Sequence, residues 1–184
     1  KTAYNLALAR AEAGDAAAQT LVAEILSRGL GMRRDDKGAA GWYQRAAEQG
    51  VPEAQFQYAL MLTDGRFINK DLKEAYALMQ AAAEAGNRLA QFNFAQMVVD
   101  REPGETGMKK AVSYYERAAR AGLADAQYAL SQVYATGVGG HAVDEVKARE
   151  WLVLAARQNY DTAQLDLGAW LVQGRGGPKD EKAG

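Results

Sequence analysis

Small, large and turn-forming residues follow one another along this chain in a fixed order that repeats. The pair Ala-Gln recurs in one register at Ala18-Gln19, Ala54-Gln55, Ala90-Gln91, Ala126-Gln127 and Ala163-Gln164, at spacings of 36, 36, 36 and 37 residues. Apolar and polar positions after the pair follow a helical period, as in Ala54-Gln55-Phe56-Gln57-Tyr58-Ala59-Leu60-Met61-Leu62. A second segment carries an Ala-Ala pair, at Ala46-Ala47, Ala82-Ala83, Ala118-Ala119 and Ala155-Ala156. Large groups precede it by three or four residues: Trp42 and Tyr43, Leu78 and Met79, Tyr114 and Tyr115, Trp151 and Leu152. Large residues followed one turn later by alanines make a helix that accepts close neighbours.

Turn chemistry separates the segments. Gly14, Gly50, Gly86 and Gly122 stand four residues before the first four Ala-Gln alanines, and Asn159 takes the fifth place. Asparagine is the commonest non-glycine residue in the left-handed conformation that ends helices, so the exception obeys the same rule. A loop of about seven residues, marked by Gly29, Gly65, Gly137 and Gly174, divides each unit into a helix A and a helix B. Helix B is expected to start near Asp35, Asp71, Thr106 and Asp144, which are good N-cap residues. Asp71 and Glu74 have capping-box spacing. Pro52 suits the first position of helix A.

The units therefore read as a half repeat at 1–14, full repeats at 15–50, 51–86, 87–122 and 123–159, and a half repeat at 160–184, ten helices in all. Lys1 to Ala13 reads as a lone helix B and Asp161 to Gln173 as a lone helix A. Lys182-Ala183 matches the start of a further helix B, as in a fragment of a longer array. One helix pair cannot bury enough apolar surface to offset its chain entropy. Stacking does so, through a sum of neighbour contacts that bends the stack around a concave face.

The order Ala-Gln-aromatic, glycine loop, aspartate, Lys-Ala, Trp-Tyr, Ala-Ala, Glu-Gln-Gly resembles the Sel1-like repeat, a relative of the tetratricopeptide repeat. The first unit carries it best, in Lys37, Ala39, Trp42-Tyr43 and Ala46-Ala47-Glu48-Gln49-Gly50. The second carries Asp71, Lys73 and Ala75; the fourth carries Gly137-Val138-Gly139, Lys147-Ala148 and Trp151. The resemblance implies an all-α, right-handed α/α superhelix. It also implies a protein–protein interaction scaffold rather than an enzyme. Plain tetratricopeptide repeats have a shorter period of about 34 residues. The third unit departs from the pattern, with Asp100-Arg101-Glu102-Pro103-Gly104 in place of the glycine loop, so that loop is expected to differ in shape.

Composition narrows the partners. Lysine plus arginine number 22 against 23 aspartate plus glutamate, a net charge of −1, so no basic stripe invites nucleic acid or an anionic membrane surface. No apolar run approaches the ~18–20 residues of a membrane span. The chain has no cysteine, which excludes disulfides and thiolate metal sites and separates it from the disulfide-rich exported branch of the family. Cytosol and bacterial periplasm both suit such a chain, and the alanine- and arginine-rich composition suits a bacterium.

Chemistry is sparse. Gly137-Val138-Gly139-Gly140 and Gly174-Arg175-Gly176-Gly177 lack the strand and the Gly-Lys-Ser/Thr that a phosphate cradle needs, and read as repeat loops. His141, the only histidine, falls in an inserted segment and reads as a solvated loop residue that cannot complete a zinc site. Ser27, Ser113 and Ser131 begin no Ser-x-x-Lys and sit in no Gly-x-Ser-x-Gly. Asp35-Asp36 reads as a helix cap, and the large aromatics of helix B as inter-repeat core. No cofactor is implied.

If helix A lines the concave face, as in tetratricopeptide arrays, the register selects Glu24, Arg28, Phe56, Gln57, Leu60, Phe92, Asn93, Gln96, Tyr128 and Gln132. Phe56, Phe92 and Tyr128 are expected to be partly exposed there. Amide side chains can pair with an extended peptide's backbone while phenylalanine and leucine take its side chains. Lysine and arginine are too scarce at these positions to clamp a C-terminal carboxylate. Two rival readings have their own sources. Some exported relatives are linked to β-lactam binding or hydrolysis, against which the missing Ser-x-x-Lys counts. A passive spacer within a larger protein is the other.

Overall fold

The computed structural model describes residues 2–180 and 182; Lys1 and Ala183, assigned above to the ends of the array, lie outside the described residues. Ten helices follow in order among them: α1 Thr2–Glu12, α2 Ala16–Arg28, α3 Asp36–Glu48, α4 Pro52–Asp64, α5 Leu72–Glu84, α6 Arg88–Arg101, α7 Glu105–Arg120, α8 Ala124–Thr136, α9 Glu145–Arg157 and α10 Asp161–Gln173. No strand occurs among the described residues. The chain forms two compact units, Lys1–Ala90 and Gln91–Gly184. In the first, α1 packs on α2, α2 on α3, α3 on α4 and α4 on α5; in the second, α7 packs on α8, α8 on α9 and α9 on α10.

Each helix B ends in the same turn. Gly14, Gly50, Gly86 and Gly122 have φ of 98°, 81°, 95° and 88°, and Asn159 has φ of 58°. After α3, the Gly50 N–H donates to the Ala47 carbonyl at 2.9 Å and the Val51 N–H to the Ala46 carbonyl at 3.2 Å. This is the Schellman pair that satisfies the last carbonyls of a helix, and it requires a left-handed residue. The chain reverses within two residues, so the following helix A starts at once, with Pro52 as the first residue of α4.

The helix A to helix B loops are longer and are tied down at their far end. The Asp35, Asp71 and Asp144 carboxylates accept the N–H groups of Gly38, Glu74 and Lys147 at 2.9, 2.9 and 3.0 Å, capping α3, α5 and α9. Their own N–H groups reach back to helix A, to the carbonyls of Leu26, Leu62 and Tyr134 at 2.9, 3.1 and 2.8 Å. Asp71 and Glu74 thus form half of a capping box, because the Asp71 N–H is taken by Leu62. The clasp recurs at Asp180, whose N–H donates to the Leu171 carbonyl at 2.8 Å and whose carboxylate accepts the Lys182 N–H at 3.0 Å.

In the third unit helix B starts near Thr106, as expected, but with a different cap. Thr106 is no cap: α7 begins at Glu105 behind Gly104, whose φ is 101°, with no side-chain cap. Gly107 occupies the position of Asp35 and Asp71, so nothing there can cap a helix. Instead α6 runs on through Arg101, where other units have their loop glycine, and α7 gains a turn. Pro103 stops α6, since the residue before a proline is disfavoured in the helical region.

The alanine pairs lie in the core. Ala46, Ala82, Ala118 and Ala155 are fully buried, as are Ala83 and Ala54. Large groups close the gaps: Met79 and Leu62 in the first unit, Phe94 against Tyr114 at 4.8 Å between ring centres in the second. In the second unit one cluster gathers Val112, Ala118, Ala126 and Leu130 with Met108 and Trp151, and the next gathers Leu152, Ala155, Ala163 and Trp170 with Tyr160.

Candidate functional site

The Ala-Gln pairs occupy the third and fourth residues of every helix A, and their glutamines bind backward. Gln19, Gln127 and Gln164 donate their side-chain amides to the carbonyls of Ala11, Ala119 and Ala156 at 3.1, 3.3 and 3.1 Å, within the preceding helix B. This fixes the rotation of each helix A, and with it the side chains on its free face.

In the first unit that face contains two adjoining recesses. One, of about 250 Å³, is lined by Thr20, Glu24, Ser27 and Arg28 from α2, Tyr43 from α3, and Glu53 and Gln57 from α4. The other, of about 460 Å³, shares Ser27, Tyr43 and Gln57 and adds Leu60, Asp64 and Phe67 among others. The structure therefore brings together four of the five sequence-derived residues of this unit: Glu24, Arg28, Gln57 and Leu60. Glu24 and Arg28 pair at 3.2 Å. Gln57 donates to Glu53 at 3.0 Å, and Glu53 also accepts from Asn87 at 3.2 Å. Phe56 is the exception. It is 5% exposed and belongs to the core, so the expectation of partial exposure fails there.

In the second unit Phe92 and Tyr128 are half-buried, Asn93 and Gln132 half-buried, and Gln96 exposed. Phe92 packs on Tyr115 at 5.7 Å and Tyr128 on Tyr160 at 5.3 Å. The Tyr128 hydroxyl donates to Asp166 at 2.8 Å. Burial, and then the bonded and charged Asp166 carboxylate, push its phenol up to about 12. Gln132 donates to the Ser131 hydroxyl at 3.4 Å.

Sequence reasoning missed Tyr43 and Glu53. Tyr43 was assigned mostly to the inter-repeat core, and it is indeed 5% exposed, yet it lines both recesses. Burial pushes its phenol up, and the charges of Glu24 and Glu53 push it further. Glu53 stands four residues before Gln57, and that helical spacing was the available signal.

The features that tempted a chemical reading are structural. A side chain at Gly139 would strike Val112, and one at Gly176 would strike the Glu145 carbonyl, so both glycine-rich loops are pressed onto helices rather than open to a phosphate. His141 is not simply solvated: its Nε2 lies 3.3 Å from Glu116 and its ring stands edge-on to Tyr134 at 5.0 Å. The inserted residue of this loop folds back onto α7. Among the described residues no group of three or more acidic, histidine or cysteine side chains could hold a metal ion. No helix among them is long and apolar enough to cross a membrane.

A family model described as Sel1 repeat matches residues 16–51, 52–87, 104–123, 124–160 and 161–184. Residues 88–103, where the loop glycine is lost, fall outside these spans. The structure is similar to that of a protective antigen from uropathogenic Escherichia coli displaying an SLR fold, with a TM-score of 0.87 and 31% identity. That match covers 98% of this chain and 38% of the antigen, so the chain spans well under half of its relative's length. It is also similar to a Sel1 repeat protein from Oxalobacter formigenes, with a TM-score of 0.81 and 29% identity over 92% of this chain and 67% of that one. An immunity protein from Pseudomonas aeruginosa shares the fold alone, at 18% identity and a TM-score of 0.58 over 98% of this chain and 69% of that protein. No curated protein matches the sequence.

Proposed function

The chain belongs to the Sel1 repeat family, an all-helical repeat solenoid, and on that premise we propose that it is a scaffold holding a partner protein or peptide on its helix-A face. The observation that carries this reading is the pair of adjoining recesses in the first unit, where the helix-A residues Glu24, Arg28, Gln57 and Leu60 surround Tyr43. Their lining mixes carboxylates, amides and hydroxyls with leucine and phenylalanine. Such a surface suits an extended peptide, whose backbone pairs with amides and whose side chains seat in the recesses. In the second unit Asn93, Gln96 and Gln132 extend the same helix-A register.

No covalent chemistry is assigned to the chain. A serine nucleophile needs an adjacent base, and Ser131 is instead buried with its hydroxyl donating to the Tyr128 carbonyl at 2.6 Å.

The test replaces Gln57, Asn93 and Gln96 together by alanine. Affinity for a partner recovered with the intact array should fall while the far-ultraviolet dichroism and melting temperature hold. Unchanged affinity in the folded triple variant rejects this face. Turnover of nitrocefin by the pure protein, abolished by one substitution, would replace the scaffold reading with an enzymatic one.

A further inference from the structure

The smaller recess of the first unit is not charge-balanced. Glu24 and Glu53 contribute two carboxylates and Arg28 one guanidinium, a formal charge of −1, and every other lining group is neutral. Three of its neutral side chains already donate. The Ser27 hydroxyl donates to the Glu24 carbonyl at 3.0 Å, the Thr20 hydroxyl to the Ala16 carbonyl at 3.0 Å, and the Gln57 amide to Glu53 at 3.0 Å. A guest therefore meets two carboxylates whose remaining lone pairs favour a group rich in N–H donors. Arg28 is no obstacle, because its side chain is 67% exposed and held to Glu24 by one contact at 3.2 Å.

The neighbouring recess has a different character. Its charges cancel among themselves, Arg34 with Asp36 at 2.8 Å and Arg66 with Asp64 at 2.7 Å. Beside these pairs it presents apolar groups: Leu60 is 36% and Phe67 40% exposed.

We infer that this face recognises a partner segment carrying a basic side chain, lysine or arginine, seated between Glu24 and Glu53, with an apolar side chain beside it against Leu60 and Phe67. The inference rests on the scaffold reading above and specifies the chemistry of the partner. A cation brings the smaller recess to neutrality and supplies the donors it lacks, whereas an acidic side chain would raise the deficit to −2. The wall of Tyr43 and the half-buried Glu24 exclude part of the solvent, so the attraction is screened less than on an open surface.

The experiment titrates the isotope-labelled full chain with capped Leu-Arg dipeptide amide, followed by amide chemical shifts. Saturable shifts at Ser27, Tyr43 and Gln57 are expected. Replacing arginine by norleucine or glutamate in the dipeptide should weaken binding by roughly tenfold or more. So should E24Q with E53Q in the protein, whose fold is checked by its unchanged dispersion elsewhere. Raising salt from about 50 mM to about 500 mM should weaken the arginine dipeptide and leave the norleucine one nearly unchanged. Absence of saturable shifts, or equal binding of the norleucine or glutamate dipeptide, overturns the inference. The two readings fail separately: loss of partner binding in the Gln57, Asn93 and Gln96 variant but not in E24Q/E53Q keeps the face and rejects the basic guest. Dipeptide binding with partner affinity unchanged in both variants keeps the recess chemistry and rejects the face as the partner's seat.

Discussion

The side-chain amide of Gln49, at the end of α3, donates to the Gln19 side-chain oxygen at 2.8 Å and to the Gly14 carbonyl at 3.0 Å. Gln19 is itself 4% exposed and donates to Ala11, so one glutamine stitches the end of a repeat to the turn before it. Gln158 repeats the arrangement on Gln127 and the Gly122 carbonyl at 2.8 and 2.9 Å. In the second repeat the place of Gln49 is taken by Ala85, and there the Gln55 side-chain oxygen is buried with no hydrogen-bond partner among the described residues.

Two opposite substitutions follow from this ladder. Q49A should cost about 1–3 kcal/mol, because it strands a buried acceptor. A85Q should stabilise by about 1 kcal/mol, because Ala85 is exposed and a glutamine there reaches the orphaned oxygen of Gln55. Urea unfolding of both variants checks the pair of signs.

Gly107 is needed for steric reasons. Its Cα hydrogen faces the Glu102 carbonyl so closely that a methyl group would overlap it. G107A should therefore open the short connection between α6 and α7 and destabilise the protein by about 1–3 kcal/mol. The same change at Gly41, where a methyl group meets nothing within 4 Å and the backbone is helical, should be neutral or slightly stabilising. Thermal melts of the two variants make the comparison.

The buried alanine pairs set how closely the helices approach. Ala82 and Ala83 are both fully buried in α5. A82L inserts three carbons at a fully buried position, and a loss of about 1–3 kcal/mol or more is expected in denaturant titration.

Tyr128 couples stability to alkaline pH. Its folded phenol lies at about 12, above the ordinary value of 10, so the folded state holds the proton more tightly than the unfolded chain does. The contribution is complete below pH 10 and is lost as pH rises toward 12. Y128F removes the titrating group and the bond to Asp166. It should lower stability at neutral pH and make the decline between pH 10 and 12 shallower, as read from urea midpoints across that range.

Much of this architecture was legible in the chain. Residues that act on their own neighbours announce themselves by spacing. Glycine or asparagine at the turn, aspartate at the cap, proline at the first helical position and paired alanines each serve a local need that recurs every 36 or 37 residues. Asn159 was read correctly because few other side chains tolerate its φ of 58°. Thr106 was misread as a cap because a cap stands just before the first helical residue, and Thr106 is the second residue of α7.

Tertiary structure decided which face of each helix was left open. Phe56 and Phe92 share one register position, yet Phe56 is buried and Phe92 half-buried, since burial depends on what the neighbouring helix offers. Tyr43 is both core and recess lining, and Glu53 joins Glu24 across two helices 29 residues apart in the sequence. The sequence by itself determined the repeat, its turns and its caps, because these are contacts between residues a few places apart. The recess, its charge and the glutamine ladder arise between residues far apart in the chain, and only the packing of one helix on the next could bring them together.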